Sequence, residues 1–227
     1  MLRETKQYLL IGNSRWHWAL DHNNNFKYLH TNPNPNKLRR LGKTLYKWAA
    51  VGDIPNDISL RPENRITIKD IPLNNLPEWI GIDRALGAWN ATKKVRESGD
   101  LSTKILVADA GTVFSLTVID ENNSFKGGQL VPGLNLQIEA MSTGAKGLSS
   151  PGLIKAIPEM FPHKTDDAMI KGSIQSLIGT ILEAKKYQDM SLWLCGGDSA
   201  LLFEELKKHD LTINYAPNLV IEAMTNL

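Results

Sequence analysis

At 227 residues, 42% of them apolar and 22% charged, the chain has the length for one large domain or two small ones, with a core that needs no covalent staples. Its single cysteine, Cys195, cannot form a disulfide within the chain, and a formal charge of +2 with no long basic run and no zinc or RNA-binding motif argues against nucleic acid as a ligand. No run reaches about 18 uncharged apolar residues and the start MLRETKQYLLIGNS holds only a short apolar run after its charges, so neither a membrane span nor a secretory leader is expected, and a cytoplasmic location is.

In chain order, the alternation of residues 7–31, broken by a glycine and by an Asn-rich tip, predicts strand, glycine turn, strand, hairpin turn, strand. NKLRRLGKTLYKWA (36–49) reads as a helix running toward a short strand around WAAVG, and NRITIKD (64–70) as a further strand. DRALGAWNATKKV (83–95) reads as a helix that Asp83 can cap. LVADAGTVFSLTVIDENNSFKGG (106–128) then repeats the strand, glycine turn, strand, hairpin pattern. KTDDAMIKGSIQSLIGTILEAKKY (164–187) is the clearest helix, because Ile170, Ile174, Leu177, Ile178 and Ile181 fall at three- and four-residue steps. Thr165 can cap it, Asp166 and Asp167 complement the positive end of its dipole, and Lys185 and Lys186 the negative end. SLWLCGGDSALLFEELKKH (191–209) reads as a buried strand, a Gly-Gly-Asp turn and a closing amphipathic helix. Trp16 and Trp18 alternate on a strand and, with Trp89, read as core.

The two halves differ in charge: residues 1–104 hold 17 Lys and Arg against 10 Asp and Glu, whereas residues 105–227 hold 9 against 14. That asymmetry suits an anionic ligand with cations on the acidic side, or simply two solvated surfaces. A shift of 99 positions lays LIGNSRWHWALDHNNNFK (10–27) over DAGTVFSLTVIDENNSFK (109–126) with six identities, Gly12/Gly111, Asp21/Asp120, Asn23/Asn122, Asn24/Asn123, Phe26/Phe125 and Lys27/Lys126. Duplication of one unit explains this, and places an N-terminal lobe at 1–104 and a C-terminal lobe at 105–227. Meanders alternating with helices imply α/β lobes with mixed sheets.

A strand, Asp-x-Gly-Thr, strand hairpin can hold a nucleotide phosphate. The bare Cα of Gly111 admits the phosphate, adjacent N–H groups point into the concavity, and Thr112 donates a further bond. Asp109 would hold a cation or its bound water, since hard cations favour carboxylate oxygen and phosphate needs its charge neutralised. The bland alternative is an Asp in an ordinary turn.

This pattern resembles the actin-like and sugar-kinase superfamily, in which two ribonuclease-H-like lobes each bring a glycine hairpin to ATP across a cleft. It is most similar to type III pantothenate kinases, on motifs spread over nearly the whole chain: LLIGNSR (9–15), GIDR (81–84), DAGT (109–112), GGQLVPG (127–133), TDDAMIKG (165–172) and CGGD (195–198). The resemblance implies ATP-dependent phosphorylation of pantothenate, the opening step of coenzyme A biosynthesis. Gly12, Asn13, Ser14, Arg15, Gly111 and Thr112 would then contact the nucleotide, Asp109 the magnesium, and Gly81, Ile82, Asp83, Arg84 and Thr165 the pantothenate. Asp83 would act on the attacking hydroxyl, and Arg84 would bind the pantothenate carboxylate or a phosphate oxygen. From the residues of GIDR alone, Asp83 reads as a helix cap beside a surface Arg84, and Thr165 as both cap and contact. A homodimer requiring K⁺ or NH₄⁺ is implied by the family, as are partners limited to small molecules and a second copy, with neither nucleic acid nor membrane.

The first loop departs from the family pattern Asp-x-Gly-Asn-Thr followed by Lys: Leu10 stands at the aspartate position, Ser14 replaces Thr, and His17 stands where the Lys would be. Leucine cannot hold magnesium. The alternative expectation is therefore a noncatalytic, regulatory relative of the same fold.

Overall fold

The structure, a computed structural model, describes residues 6–22, 25–152, 154 and 156–227; Asn23 and Asn24 of the repeat lie outside the described residues. The chain forms two compact units, one comprising residues up to Leu101 with Ile119–Lys126 and Asn218–Leu227, the other Ser102–Val118 with Gly127–Pro217.

The first unit is built on a four-stranded sheet of β1 (Gln7–Ile11), β2 (Trp16–His22), β3 (Asn25–Thr31) and β4 (Leu45–Ala50), in the order β3-β2-β1-β4. β2 runs antiparallel to β1 and β3, and β4 runs parallel to β1. Because side chains alternate between faces, Leu9, Ile11, Trp16 and Trp18 share one face, buried with Leu38 and Trp48. Leu38 comes from α1 (Pro35–Leu41), which starts with Asn34 Oδ1 accepting from Lys37 N–H at 2.9 Å and Pro35 in its first turn. Tyr8, Leu10, Ala19 and Ala49 point to the other face, into a cluster with Leu86 and Trp89 of α2 (Ile82–Glu97) and Ile221 and Met224 of α6 (Leu219–Asn226). The tryptophans at 16, 18 and 89 are core, as expected.

The second unit is built on a five-stranded sheet of β5 (Ile105–Ala110), β6 (Val113–Ile119), β7 (Phe125–Pro132), β8 (Ser191–Cys195) and β9 (Ile213–Tyr215), in the order β7-β6-β5-β8-β9, with β8 parallel to β5 and β9; only the β6–β7 hairpin end, Ile119–Lys126, belongs to the first unit. β8 lies beside β5 and not beside β7, so the chain crosses the sheet between them, through α3 (Leu134–Gly144) and α4 (Thr165–Tyr187), before α5 (Ser199–Leu206) follows β8. The apolar stripe of α4, Ile170, Ile174, Leu177, Ile178 and Ile181, packs with Leu106 and Ala108 of β5 and Leu202 and Leu206 of α5. A buried ion pair joins α4 to α5, with Lys171 Nζ 2.7 Å from Glu205 Oε2; Gln175 and Lys208 also donate to that carboxylate. In each unit a three-strand meander is followed by a fourth strand set parallel beside the first. This is the α/β arrangement expected, laid down twice.

Several local expectations are corrected. The helix expected over 36–49 is only α1 plus a 3-10 turn at Gly42–Thr44, and β4 begins at Leu45. NRITIKD is not a strand: a capping box between Thr67 and Asp70, with the Asp70 carboxylate accepting from Thr67 N–H at 2.7 Å, winds it into a 3-10 turn. Asp83 is not the cap of α2, which is Gly81, and Thr165 is not the cap of α4, which is Lys164. Nor does α5 close the chain, since α6 does.

Candidate functional site

In the first unit the turn between β1 and β2 is drawn shut by Gly12 N–H donating to the Arg15 carbonyl at 3.0 Å. A methyl group on Gly12 would lie 2.7 Å from that carbonyl oxygen, so only glycine fits. Asn13, Ser14 and Arg15 are exposed on the turn. The chain leaving β4 lies against it: Val51 and Gly52 both donate to the Ile11 carbonyl, at 2.9 and 3.2 Å, and a methyl on Gly52 would fall 2.6 Å from the Gly12 carbonyl oxygen. The same segment neighbours GIDR, since a methyl on Gly81 would be 3.5 Å from Val51 Cγ1 and 2.5 Å from Asp83 Oδ1. Thus the structure groups Gly12–Arg15, Val51–Gly52 and Gly81–Arg84 within one unit, with Ile82 buried as the anchor of the last.

Asp83 Oδ1 accepts from the Arg84 backbone N–H at 2.8 Å. Burial raises the Asp83 pKa, outweighing the opposing pull of the Arg84 N–H and of its charge. Burial likewise lowers that of Arg84, which the charge of Asp83 resists. The pair therefore does not cancel the basicity of the carboxylate: lost hydration wins.

At the aspartate position of the first loop, Leu10 is 3% exposed and belongs to the apolar cluster beneath α2 and α6. It offers no oxygen. Its cross-strand partner His17 has a pKa pushed down to about 4, first by burial and then by His30 and Arg15.

In the second unit, Asp109 is on β5 opposite Cys195 of β8, and Gly111 and Thr112 form the turn into β6. Two further glycines hold this turn. Gly133 N–H donates to the Thr112 carbonyl at 3.0 Å, and a methyl on Gly133 would press on the Gly111 carbonyl and lie 2.6 Å from that of Thr112. Gly196 has φ +93°, and a methyl there would strike Asp109 Oδ1 and lie 2.7 Å from Ala110 N and C. Asp198 N–H donates to the Ala110 carbonyl at 3.0 Å. DAGT, the end of GGQLVPG and CGGD are therefore one assembly. Asp198, the last residue of CGGD, joins the assembly through its backbone N–H, and its signal in the sequence was a Gly-Gly-Asp turn at a strand end. Thr165 is exposed at the first turn of α4.

Among the described residues no group of three or more His, Cys, Asp or Glu is arranged to hold a metal. The carboxylate of Asp109 beside a glycine turn does fit magnesium, which takes one or two carboxylates and fills its shell with phosphate and water.

The model of the family described as type III pantothenate kinase matches residues 62–186. The chain belongs to the type III pantothenate kinase family. The matched span holds GIDR, DAGT, Gly133 and Thr165, and begins after the first loop. The type III pantothenate kinase of Synechocystis sp. is 27% identical over 95% of this chain and 87% of its own length. Among solved structures, a protein described as a Baf family transcriptional activator from Campylobacter jejuni superposes with a TM-score of 0.61 at 21% identity, covering 97% of this chain and 96% of that one. The activator of 2-hydroxyisocaproyl-CoA dehydratase from Clostridium difficile, with bound ADPNP, gives a TM-score of 0.52 at 11% identity, covering 98% and 95%. The type III pantothenate kinase fold here is the two-lobed α/β fold of the actin-like ATPases and sugar kinases. Among the described residues no helix is long and apolar enough to cross a membrane.

Proposed function

We propose that this member of the family transfers the γ-phosphoryl group of ATP to the hydroxyl of pantothenate, giving 4'-phosphopantothenate for coenzyme A synthesis. The observation that carries this reading is Asp83, a carboxylate whose basicity burial raises, set beside a glycine turn at the start of a helix. A pKa moved toward neutrality makes it a better acceptor for the hydroxyl proton, and a positioned base contributes about 10²–10⁴-fold. Arg84 binds the substrate carboxylate or a phosphate oxygen through its planar fork. Gly12 lets phosphate approach through its bare Cα, Asn13, Ser14, Arg15, Gly111 and Thr112 bind it through backbone N–H groups and hydroxyls, and Thr165 contacts pantothenate. Bound magnesium supplies neutralisation of the charge on the transferring group. Asp109 holds it, and a homodimer and K⁺ or NH₄⁺ complete the requirement.

The test is ADP release with and without pantothenate, in potassium and then sodium buffer. Pantothenate-dependent release that disappears in Asp83→Asn is the expected result; full activity in that variant removes Asp83 from its role. Leu10, with no oxygen to offer and a place in the core, supports a second reading, a relative that binds the ligand without turnover. Pantothenate binding by calorimetry with no ADP release under any cation would favour it.

A further inference from the structure

The first loop carries a hydrogen-bonded chain that the roles above leave unused. His17 on β2 and His30 on β3 are cross-strand partners with their Nδ1 atoms 2.7 Å apart, and His30 Nε2 is 2.9 Å from Asn218 Oδ1. Asn218 is the N-cap of α6, yet its side chain makes no bond to its own helix. It serves His30 instead. At the other end, a methyl group on Gly12 would lie 3.5 Å from His17 Nε2, so this nitrogen faces the glycine of the turn.

A bond between two Nδ1 atoms holds one proton. With Asn218 Oδ1 accepting from His30 Nε2–H, the shared proton belongs to His17 Nδ1, and His17 Nε2 presents a lone pair to the turn. Rotating the Asn218 amide so that Nδ2 donates reverses the direction: the shared proton sits on His30 Nδ1 and His17 Nε2 carries an N–H. In the reversal the shared proton crosses from His17 to His30, His17 Nε2 gains one from water, and His30 Nε2 releases one to water. Net charge is unchanged. His30 is exposed, which keeps that exchange open.

The surroundings favour a neutral ring. Arg15 faces His17 from the turn, His30 from β3, the uncharged Asn218 continues the chain from α6, and β1 opposes it with Leu10. We propose that His17 is the phosphate contact of the first loop, donating Nε2–H from a neutral imidazole to a nucleotide phosphate on the Gly12–Arg15 turn. His30 and Asn218 are positioning residues that set the direction of the chain. This inference rests on the kinase reading for its ligand.

Two measurements test it. Long-range ¹H–¹⁵N spectra of the histidines should find His17 protonated on Nδ1 in the free protein and on Nε2 with MgATP. In equilibrium binding, His17→Leu should weaken MgATP by about 10–100-fold, the worth of a hydrogen bond to a charged acceptor. Asn218→Asp preserves a favourable N-cap residue but can only accept, so at pH 8 it should weaken MgATP to a similar degree with His17 still in place. Unchanged affinity in both variants, or a doubly protonated His17 in the complex, overturns the proposal. MgATP bound with His17 still protonated on Nδ1 sinks this inference alone; no MgATP binding by the native chain sinks the kinase reading along with it.

Discussion

Replacing Gly196 by alanine tests whether the second loop is held by contact or merely by backbone conformation. Gly196 combines φ +93° with a methyl position that strikes Asp109 Oδ1 and lies 2.7 Å from Ala110 N and C. Each cause can be isolated in the same unit. Gly147 has φ +88° and nothing within 4 Å of its methyl position, so Gly147→Ala carries the conformational penalty alone, about 1–2 kcal/mol. Gly133 has an ordinary φ of −67° but meets the backbone of Gly111 and Thr112, so Gly133→Ala carries overpacking alone, about 1–3 kcal/mol. Gly196→Ala should therefore cost about 2–5 kcal/mol, the combined range of the two. Urea unfolding followed by circular dichroism reads these as shifts in midpoint at constant slope. Magnesium-dependent nucleotide binding should fall in Gly196→Ala, where Asp109 is displaced, and persist in Gly147→Ala. If Gly196→Ala costs no more than Gly147→Ala, the contact with Asp109 does not exist in solution.

Two further outcomes are expected. Lys171→Met, which strands Glu205 without its buried partner, should cost about 3–5 kcal/mol, and the double variant Lys171→Met/Glu205→Leu should recover most of it; urea melts of the three proteins decide this. The Glu205 carboxyl loses hydration, but Lys171 and Lys208 more than compensate and leave its pKa lowered. Its contribution is thus present above the ordinary Glu value and lost as pH falls through the lowered one, so the native protein should lose more stability in acid than the double variant. Asp83 has the opposite sign, because a raised carboxyl pKa means stability that is present below the ordinary Asp value and lost as pH rises through the raised one. Asp83→Asn should consequently be more stable than the native protein at pH 8, by about 0.5–2 kcal/mol and with a higher melting temperature, while losing turnover; a lower melting temperature refutes the burial argument.

The sequence carried the meanders and α4 because their signals are local and periodic: glycine at a strand end, Asn at a hairpin tip, isoleucines at helical steps. NRITIKD misled because Ile66 and Ile68 alternate like a strand while Thr67 and Asp70 satisfy one another's donors, and that local bond decided the shape. α6 has eight residues after a proline, too few for periodicity to register, and it is fixed by packing of Ile221 and Met224 rather than by propensity. At the site, GIDR, DAGT and CGGD were legible as motifs. Their supports were not. Gly52 against Gly12, Gly133 against Thr112 and the His17–His30–Asn218 chain join residues distant in sequence, and no spacing rule encodes such contacts. Leu10 was recognisable as a missing carboxylate, whereas its place in the apolar cluster needed coordinates.

Residues 218–227 belong with the N-terminal meander, and Leu219, Ile221, Ala223 and Met224 of α6 are buried there. During translation the first sheet thus emerges with one face covered only in part, by α2, and the helix that completes the cover follows only after the second unit's Ser102–Val118 and Gly127–Pro217 have been made. At about 5–20 residues per second that interval is on the order of ten seconds. Until then Tyr8, Leu10 and Ala19 have Leu86 and Trp89 of α2 beside them but lack Ile221 and Met224, so the core of the first unit is completed only when residues 218–227 have been made.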